Sequence, residues 1–435
     1  MKTFYFQSKK TVLKITALLI IFMGFFEASL ALPLVPKSNQ PDTLTYVQYK
    51  GSVIDQETRS PLAFASLTLD GTNIATVTNT EGEFALKVPK NLTNGKVSIS
   101  FLGYKDKSMS LSLFKQEKTR IEMELLIVAL NEVRVFPKDP ELLIRAVMNK
   151  RGENYFNEPV SMTAFYRETI KKRRTYVSLS EAVVEVFKQS YVSNKTDIAQ
   201  LYKARKSTDY TRLDTLTFKL QGGPYSTLYM DIMKNPDMVF TDDMIGCYEF
   251  NLENITKIND RLIYILSFKQ RPHVDQPLYF GKLYIDTESL AITSATFNLN
   301  VSNKEMAGDM YIKKKPVGAK VYPTSASYRV DYREKDGRWY YSYSRGQITF
   351  KIEWFKRLFN TIYESTIEMA VTDWEKTKDK PSKNSERMKP NIVLTDEISG
   401  FADRSFWGEY NVIEPEKPIE SAIRKIQKRL ERELK

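Results

Sequence analysis

The grain of this sequence is strand-length. From Thr45 to Phe350 apolar residues come in short stretches, many alternating with polar ones, and turn-forming pairs separate the stretches. Period two puts one face of a strand on a core and the other toward water, and a neighbouring strand must meet its backbone groups. The chain therefore has to fold largely as sheets. Val47 to Ile54, Ala63 to Leu69, Glu83 to Val88 and Lys96 to Phe101 are such stretches. Asp70-Gly71, Glu81-Gly82, Asn94-Gly95 and Leu102-Gly103 turn the chain between or after them. Short strands at this spacing predict a β-sandwich over residues 45–134.

A breaker cluster, Phe136-Pro137-Lys138-Asp139-Pro140, opens a larger region, 135–375. Asp139 then Pro140 is an N-cap and a first helical residue, and Leu143, Ile144 and Val147 fall on one face, so a helix of about 12 residues is expected. Strand patterns resume at Ser161 to Ile170, Tyr176 to Phe187, Arg261 to Phe268, Leu278 to Asp286 and Ala291 to Val301. They continue at Met310 to Lys314, Ala326 to Tyr332 and Arg338 to Phe350, and Ser226 to Lys234 reads as an interrupting helix. Sequential strands with short turns predict a large, curved antiparallel sheet with a few helices. Its aromatics, such as Tyr279, Phe297, Tyr328, Trp339 and Tyr343, suit half-buried pleated faces. They would also suit a concave face holding an acyl chain, or a platform on which sugars stack. Charges such as Lys269, Lys282, Arg329 and Arg333 interrupt many strands and argue against a transmembrane barrel.

Residues 376–405 begin with a Lys-, Ser- and Pro-rich run and predict a mobile loop. Residues 406–435 predict an anchor, Phe406 and Trp407, followed by an amphipathic helix. Pro418 starts that helix, Ile419, Ile423, Ile426 and Leu430 form its stripe, and Arg424, Lys425, Lys428 and Arg429 flank it. Docking on its own domain is expected, with a partner helix or an anionic membrane surface as alternatives.

Several of these residues resemble a known family. Gly51-Ser-Val-Ile-Asp55, Pro61 to Ala65, Gly71-Thr72, Thr78 to Phe84, Val88-Pro89 and Phe101-Leu-Gly-Tyr104 resemble the carboxypeptidase regulatory-like module. The resemblance implies a seven-stranded, transthyretin-like sandwich that serves as an accessory and catalyses nothing itself. Within it Gly82 is expected at a positive φ, Phe84 inward, and Asp55 bonded to amides after its strand. In the larger region, Leu278 to Asp286 with Ala291 to Ala295 resembles a strand pair of periplasmic lipoprotein-carrier half-barrels. Phe165-Tyr-Arg-Glu168 with Glu181 to Glu185 resembles a group of exported envelope proteins to which no activity is attached.

The start of the chain reads as an address. Lys2, Lys9, Lys10 and Lys14 precede an apolar run of 12 residues, Ile15 to Phe26, and Ser29-Leu30-Ala31 offers a cleavage site after Ala31. Such a run rises about 18 Å as a helix, short of a bilayer core of about 30 Å. Residues 1–31 are therefore expected to be a signal peptide and 32–44 a linker. Net charge is +12, and losing four Lys and one Glu with the leader leaves +9. A basic exported protein meets anionic lipid or glycan rather than nucleic acid.

The chemistry on offer is narrow. One Cys (Cys247) excludes intrachain disulfides and multi-Cys zinc sites, and one His (His273) excludes a multi-His metal centre. His273 lies in a Pro-flanked stretch without any Gly-x-Ser-x-Gly elbow, and Cys247, at a strand start, reads as a small buried hydrophobe. Lys171 to Arg174 and Lys313 to Lys315 read as solvated hairpin ends. Paired carboxylates remain, with Asp242, Asp243 and Glu249, or Glu181 and Glu185, as neighbours in sequence. Acids four apart on a strand lie about 13 Å apart, too far for a catalytic pair. The expectation is a mainly β exported protein, associated with periplasm or outer membrane, with no catalytic, cofactor or metal residues. Its expected role is to bind or assemble with an envelope protein or glycan. A carrier of an apolar ligand and a carboxylate-only hydrolase are the alternatives.

Overall fold

The computed structural model describes residues 45–126, 139–208, 220–258, 261–312, 317–356, 359–376, 387–398, 406–416, 419 and 421, all within one compact unit, Thr45–Lys435. The expected signal peptide and linker lie outside the described residues. So do Lys313 to Lys315, the module boundary at 127–138 and nearly all of the helix expected after Pro418.

The chain is mainly β. Its first seven strands are β1 (Tyr46–Asp55), β2 (Ser66–Leu69), β3 (Ala75–Val77), β4 (Glu83–Pro89), β5 (Lys96–Ser100), β6 (Lys107–Ser110) and β7 (Thr119–Met123). They form two facing sheets, β4-β1-β7 and β3-β2-β5-β6. Val53, Leu67, Leu86, Val97 and Ile121 fill the space between them. The local chemistry is that of the expected sandwich. Gly82 sits at φ +74°, and a Cβ there would meet the Val53 carbonyl at 2.7 Å. Asp55 accepts from the amides of Glu57 and Thr58 at 2.9 and 2.6 Å. The Tyr104 hydroxyl, followed by Thr58, holds the Asp55 carboxyl down to about 2.

Helix α1 (Pro140–Asn149) starts where Asp139 and Pro140 predict, with Asp139 Oδ1 accepting from the amides of Glu141 and Leu142. A second antiparallel sheet follows, ten strands wide, in the order β10-β9-β8-β17-β16-β15-β14-β13-β12-β11. The strands are β8 (Val160–Lys172), β9 (Thr175–Lys188), β10 (Ile198–Thr208), β11 (Tyr248–Ile258), β12 (Arg261–Gln270), β13 (Tyr279–Asp286), β14 (Ile292–Leu299), β15 (Ala319–Lys335), β16 (Arg338–Trp354) and β17 (Thr361–Lys376). The meander is broken once. β17 returns to pair with β8, nearly 200 residues earlier, and so joins the β8–β10 arm to the β11–β16 arm.

One face of this sheet carries a large apolar core. Residues 224–245, with helix α2 (Pro224–Tyr229), lie across it, and Leu228, Met230, Ile232, Met233, Val239 and Phe240 are buried there. Within that core Lys188 is buried between Asp197 (2.6 Å) and Asp231 (2.8 Å), and the hydroxyls of Tyr191 and Tyr332 also donate to Asp231.

Three sequence expectations are corrected. Met310 and Tyr311 end a helix, α3 (Lys304–Tyr311), instead of opening a strand. Asn303 caps it by accepting from the Met306 amide, and Ala307 and Gly308 pack against β15. The helix expected from Ser226 to Lys234 starts earlier and ends at Tyr229. Within the expected mobile loop, the described part is fixed: Met388, Leu394 and Ile398 are buried in the main core, and the Met388 amide donates to the Ala199 carbonyl.

Candidate functional site

The face of the large sheet opposite that core meets the sandwich, and their seam is built from charge. A single cross-strand row runs Arg205, Glu181, Arg167, Glu368, Arg345, Arg329 over β10, β9, β8, β17, β16 and β15, each residue opposite the next. Arg167 Nε donates to Glu181 Oε1 at 2.7 Å and Nη1 to Glu368 Oε1 at 3.2 Å. Arg205 Nε donates to Glu181 Oε2 at 2.7 Å, and Arg345 Nη1 to Glu368 Oε2 at 3.0 Å. Burial alone would raise Glu181, but the guanidiniums of Arg167 and Arg205 outweigh it and hold the carboxyl below its ordinary range. Alternation of sign lets the first five ionisable side chains, Arg205 to Arg345, share a closed seam, since a buried charge needs a partner.

The alternation fails at Arg345 and Arg329, and there the sandwich supplies a ring. Phe64 lies with its centroid 5.2 Å from the Arg345 guanidinium and 5.5 Å from that of Arg329, and stacks on Tyr343 at 5.5 Å. Phe64 holds φ +68°, a costly conformation for a residue with a side chain. Thr78 fixes it: its hydroxyl donates to the Leu62 carbonyl and accepts from the Ala65 amide, while its carbonyl accepts from the Phe64 amide.

A strap, residues 406–416, closes the other side of the seam. Trp407 is buried edge-on to Phe165 and beneath Arg205, and the Ile413 carbonyl accepts from Arg167 Nη2 at 2.7 Å. Asn411 pairs with the Lys87 backbone in both directions, and Lys87 Nζ donates to the carbonyls of Gly408 and Tyr410. Burial pushes that ammonium down to about 8. Sandwich, strap and sheet are thus tied together by backbone as well as side chains.

Beside Phe64 the seam opens into a cleft of about 870 Å³. The sandwich contributes Thr68, Ser98, Ser100 and Phe101 to its wall, and the sheet contributes Arg261, Ser294, Arg333 and Trp339. Its charges are mixed, with Arg261, Arg329, Arg333 and Lys335 against Asp70, Asp106, Asp331, Glu334 and Asp336. Arg333 Nη1 bridges the floor to Thr68 Oγ1 at 3.2 Å. At its end Asn73 bonds both Lys335 and the Trp374 carbonyl. Ser66 Oγ and Arg333 Nε, both in the wall, are buried with no hydrogen-bond partner among the described residues. The volume is that of a small-ligand or short-oligomer site, and hydroxyls, aromatic rings and paired charges together suit a polar, hydroxyl-bearing ligand.

The residues weighed as chemistry do not gather here. His273 is exposed between β12 and β13. Cys247 is half-buried just before β11. Asp242 and Asp243 are exposed in the first turn of a short helix, and Glu249 pairs with Lys269 at 3.0 Å. Glu181 belongs to the charge row, while Glu185, on the same strand, is exposed and accepts from Ser161. Among the described residues burial raises two carboxyls: Asp373 on β17, and Glu168, which rises to about 7 on the opposite face of β8, where the Tyr166 hydroxyl donates to it at 2.8 Å. Among the described residues no three His, Cys, Asp or Glu side chains are grouped to hold a metal ion, and no helix is long and apolar enough to cross a membrane.

Residues 49–135 match the model of the CarboxypepD_reg-like domain family. A search of curated proteins finds no match. Among solved structures, a DUF1329 family protein from Desulfovibrio piger is similar at 13% identity and a TM-score of 0.23, over 56% of this chain and 96% of that one. A LolA superfamily protein from Nitrosomonas europaea is similar at 13% identity and a TM-score of 0.19, over 55% and 94%. MucB, in complex with MucA(peri), is similar at 12% identity and a TM-score of 0.18, over 55% and 100%.

Proposed function

We propose that this chain is an exported, non-catalytic binding module of the cell envelope, and that the cleft between its regulatory-like sandwich and its large sheet takes a hydroxyl-rich ligand, an envelope glycan. The observation that carries this reading is the cleft itself, about 870 Å³ with walls drawn from both halves of the molecule. Sandwich hydroxyls at Thr68, Ser98 and Ser100 line it together with sheet cations at Arg261 and Arg333, and the Arg261 guanidinium lies over the Trp339 ring at 5.8 Å. The mixed sign of the charges favours a ligand with hydroxyls over a strongly anionic one. The fixed backbone of the seam supports recognition without large rearrangement. An apolar ligand in the large domain would have to displace residues 224–245 from the opposite face.

Calorimetric titration with soluble oligosaccharides from envelope polymers tests the proposal. Binding to the native chain and its loss in Ser98→Trp, which fills the cleft from an outward-facing position on β5, is the expected result. Unchanged binding in the variant, or turnover of the sugar that vanishes when one acid is neutralised, would overturn it.

A further inference from the structure

Independently of the cleft, the far end of the large sheet carries exposed apolar side chains among cations. Three strand connections come together there. The start of β15 lies against the end of β16, with the Phe355 amide donating to the Gly318 carbonyl at 2.9 Å. The end of β16 pairs with the start of β17, Ile352 opposite Thr361. The turn between β8 and β9 lies against β17 in turn, with the Arg173 amide donating to the Ile362 carbonyl at 2.9 Å. One continuous rim results, and its apolar side chains project outward: Phe355 is 73% exposed, Phe359 72% and Val317 101%, with Ile362 beside them. Among the described residues most large apolar side chains are buried, and four exposed ones on a single edge make a patch.

The charge around them is predominantly positive. Over 171–176, 317–322 and 351–364 the described residues include Lys171, Lys172, Arg173, Arg174, Lys320, Lys351 and Lys356 against only Glu353 and Glu364. Both acids are already engaged, Glu353 by Lys351 at 2.8 Å and Glu364 by Lys171 at 3.1 Å. Cations ringing projecting aromatic tips complement a bilayer with anionic headgroups: rings enter the headgroup–acyl boundary while Lys and Arg stay among the phosphates. A soluble protein partner would more naturally be met by a flatter apolar patch with a mixed rim.

We propose that this rim, centred on Phe355 and Phe359, docks the protein peripherally on an anionic phospholipid surface. The sandwich packs at the opposite end of β17, around Trp374, about 40 Å from Thr361 at strand rise. Docking by the rim would therefore hold the cleft well clear of the bilayer.

Co-sedimentation of the chain from Leu32 to Lys435 with phosphatidylcholine vesicles containing about 30% phosphatidylglycerol is the test. The chain should sediment with these vesicles and not with pure phosphatidylcholine, and about 0.5 M salt should weaken the binding. The double variant Phe355→Ser/Phe359→Ser should lose roughly tenfold or more in apparent affinity, with its melting curve unchanged because both rings are exposed. Arg173→Glu/Arg174→Glu should lose binding to a similar degree. Failure to bind anionic vesicles would overturn the proposal. So would equal binding by the native chain and the Phe variant, which would place any lipid contact elsewhere, such as after Pro418.

Discussion

Glu168→Gln should make the protein more stable, and only above a defined pH. Glu168 is buried on the core side of β8, where the Tyr166 hydroxyl donates to it at 2.8 Å. Burial raises its carboxyl from 4.5 to about 7. The unfolded chain gives up that proton near 4.5, whereas the folded chain keeps it to about 7. Between those values the native state binds more protons than the unfolded one, so stability falls as pH rises and levels off above pH 7. At 1.36 kcal/mol for each tenfold difference in proton affinity, the loss at pH 8 is about 3 kcal/mol. Gln has the same shape, keeps an acceptor for Tyr166 and never ionises. Urea denaturation of both proteins at intervals from pH 4 to 8 should give a difference near zero at pH 4, widening to about 3 kcal/mol in favour of the variant by pH 8. A difference that does not change with pH, or a variant less stable at pH 8, would refute the reasoning.

Other perturbations follow from the same packing. Arg167→Met leaves Glu181 and Glu368 each with one cation fewer in a closed seam, and should cost about 3 kcal/mol or more by urea denaturation. Phe64→Ala removes the ring between Arg329 and Arg345 and should cost about 2 kcal/mol. In that variant hydrogen exchange should quicken in the sandwich and strap while β8 and β9 stay protected. Gly281→Ala would put a Cβ 2.1 Å from the Thr296 carbonyl in the middle of the β13–β14 pair, so the backbone must shift and the melting temperature should fall by several degrees.

What the sequence could say depended on which residues obey a simple period. The β8 and β9 hairpin, the capped helix after Asp139 and the tight turn at Gly82 all follow rules that act over a few residues, and each stands where those rules put it. β17 does not read as a half-buried strand because its middle is buried on both faces, and β10, at the sheet edge, breaks its alternation with a bulge between Leu201 and Lys203. Lys203 and Arg205 of β10 meet Phe406 and Glu181, and Glu368 of β17 is buried between Arg167 and Arg345. Their polar residues answer partners across the sheet instead of water, so alternation carries no sign of them. The same logic hid the cleft. Thr68, Ser98 and Ser100 alternate with core residues and read as a solvent face, until the fold brings β15 and β16 opposite them. Phe64 gave no signal of its importance, because its value lies in two arginines roughly 270 residues further along.

The central claim is that the seam between sandwich and sheet holds the ligand. Native mass spectrometry of the protein isolated from its own envelope, as native chain and as Ser98→Trp, tests it most directly. A saccharide mass carried by the native chain and missing from the variant is the predicted result; a native chain that carries no such mass, or carries it equally with the cleft filled, would contradict the account.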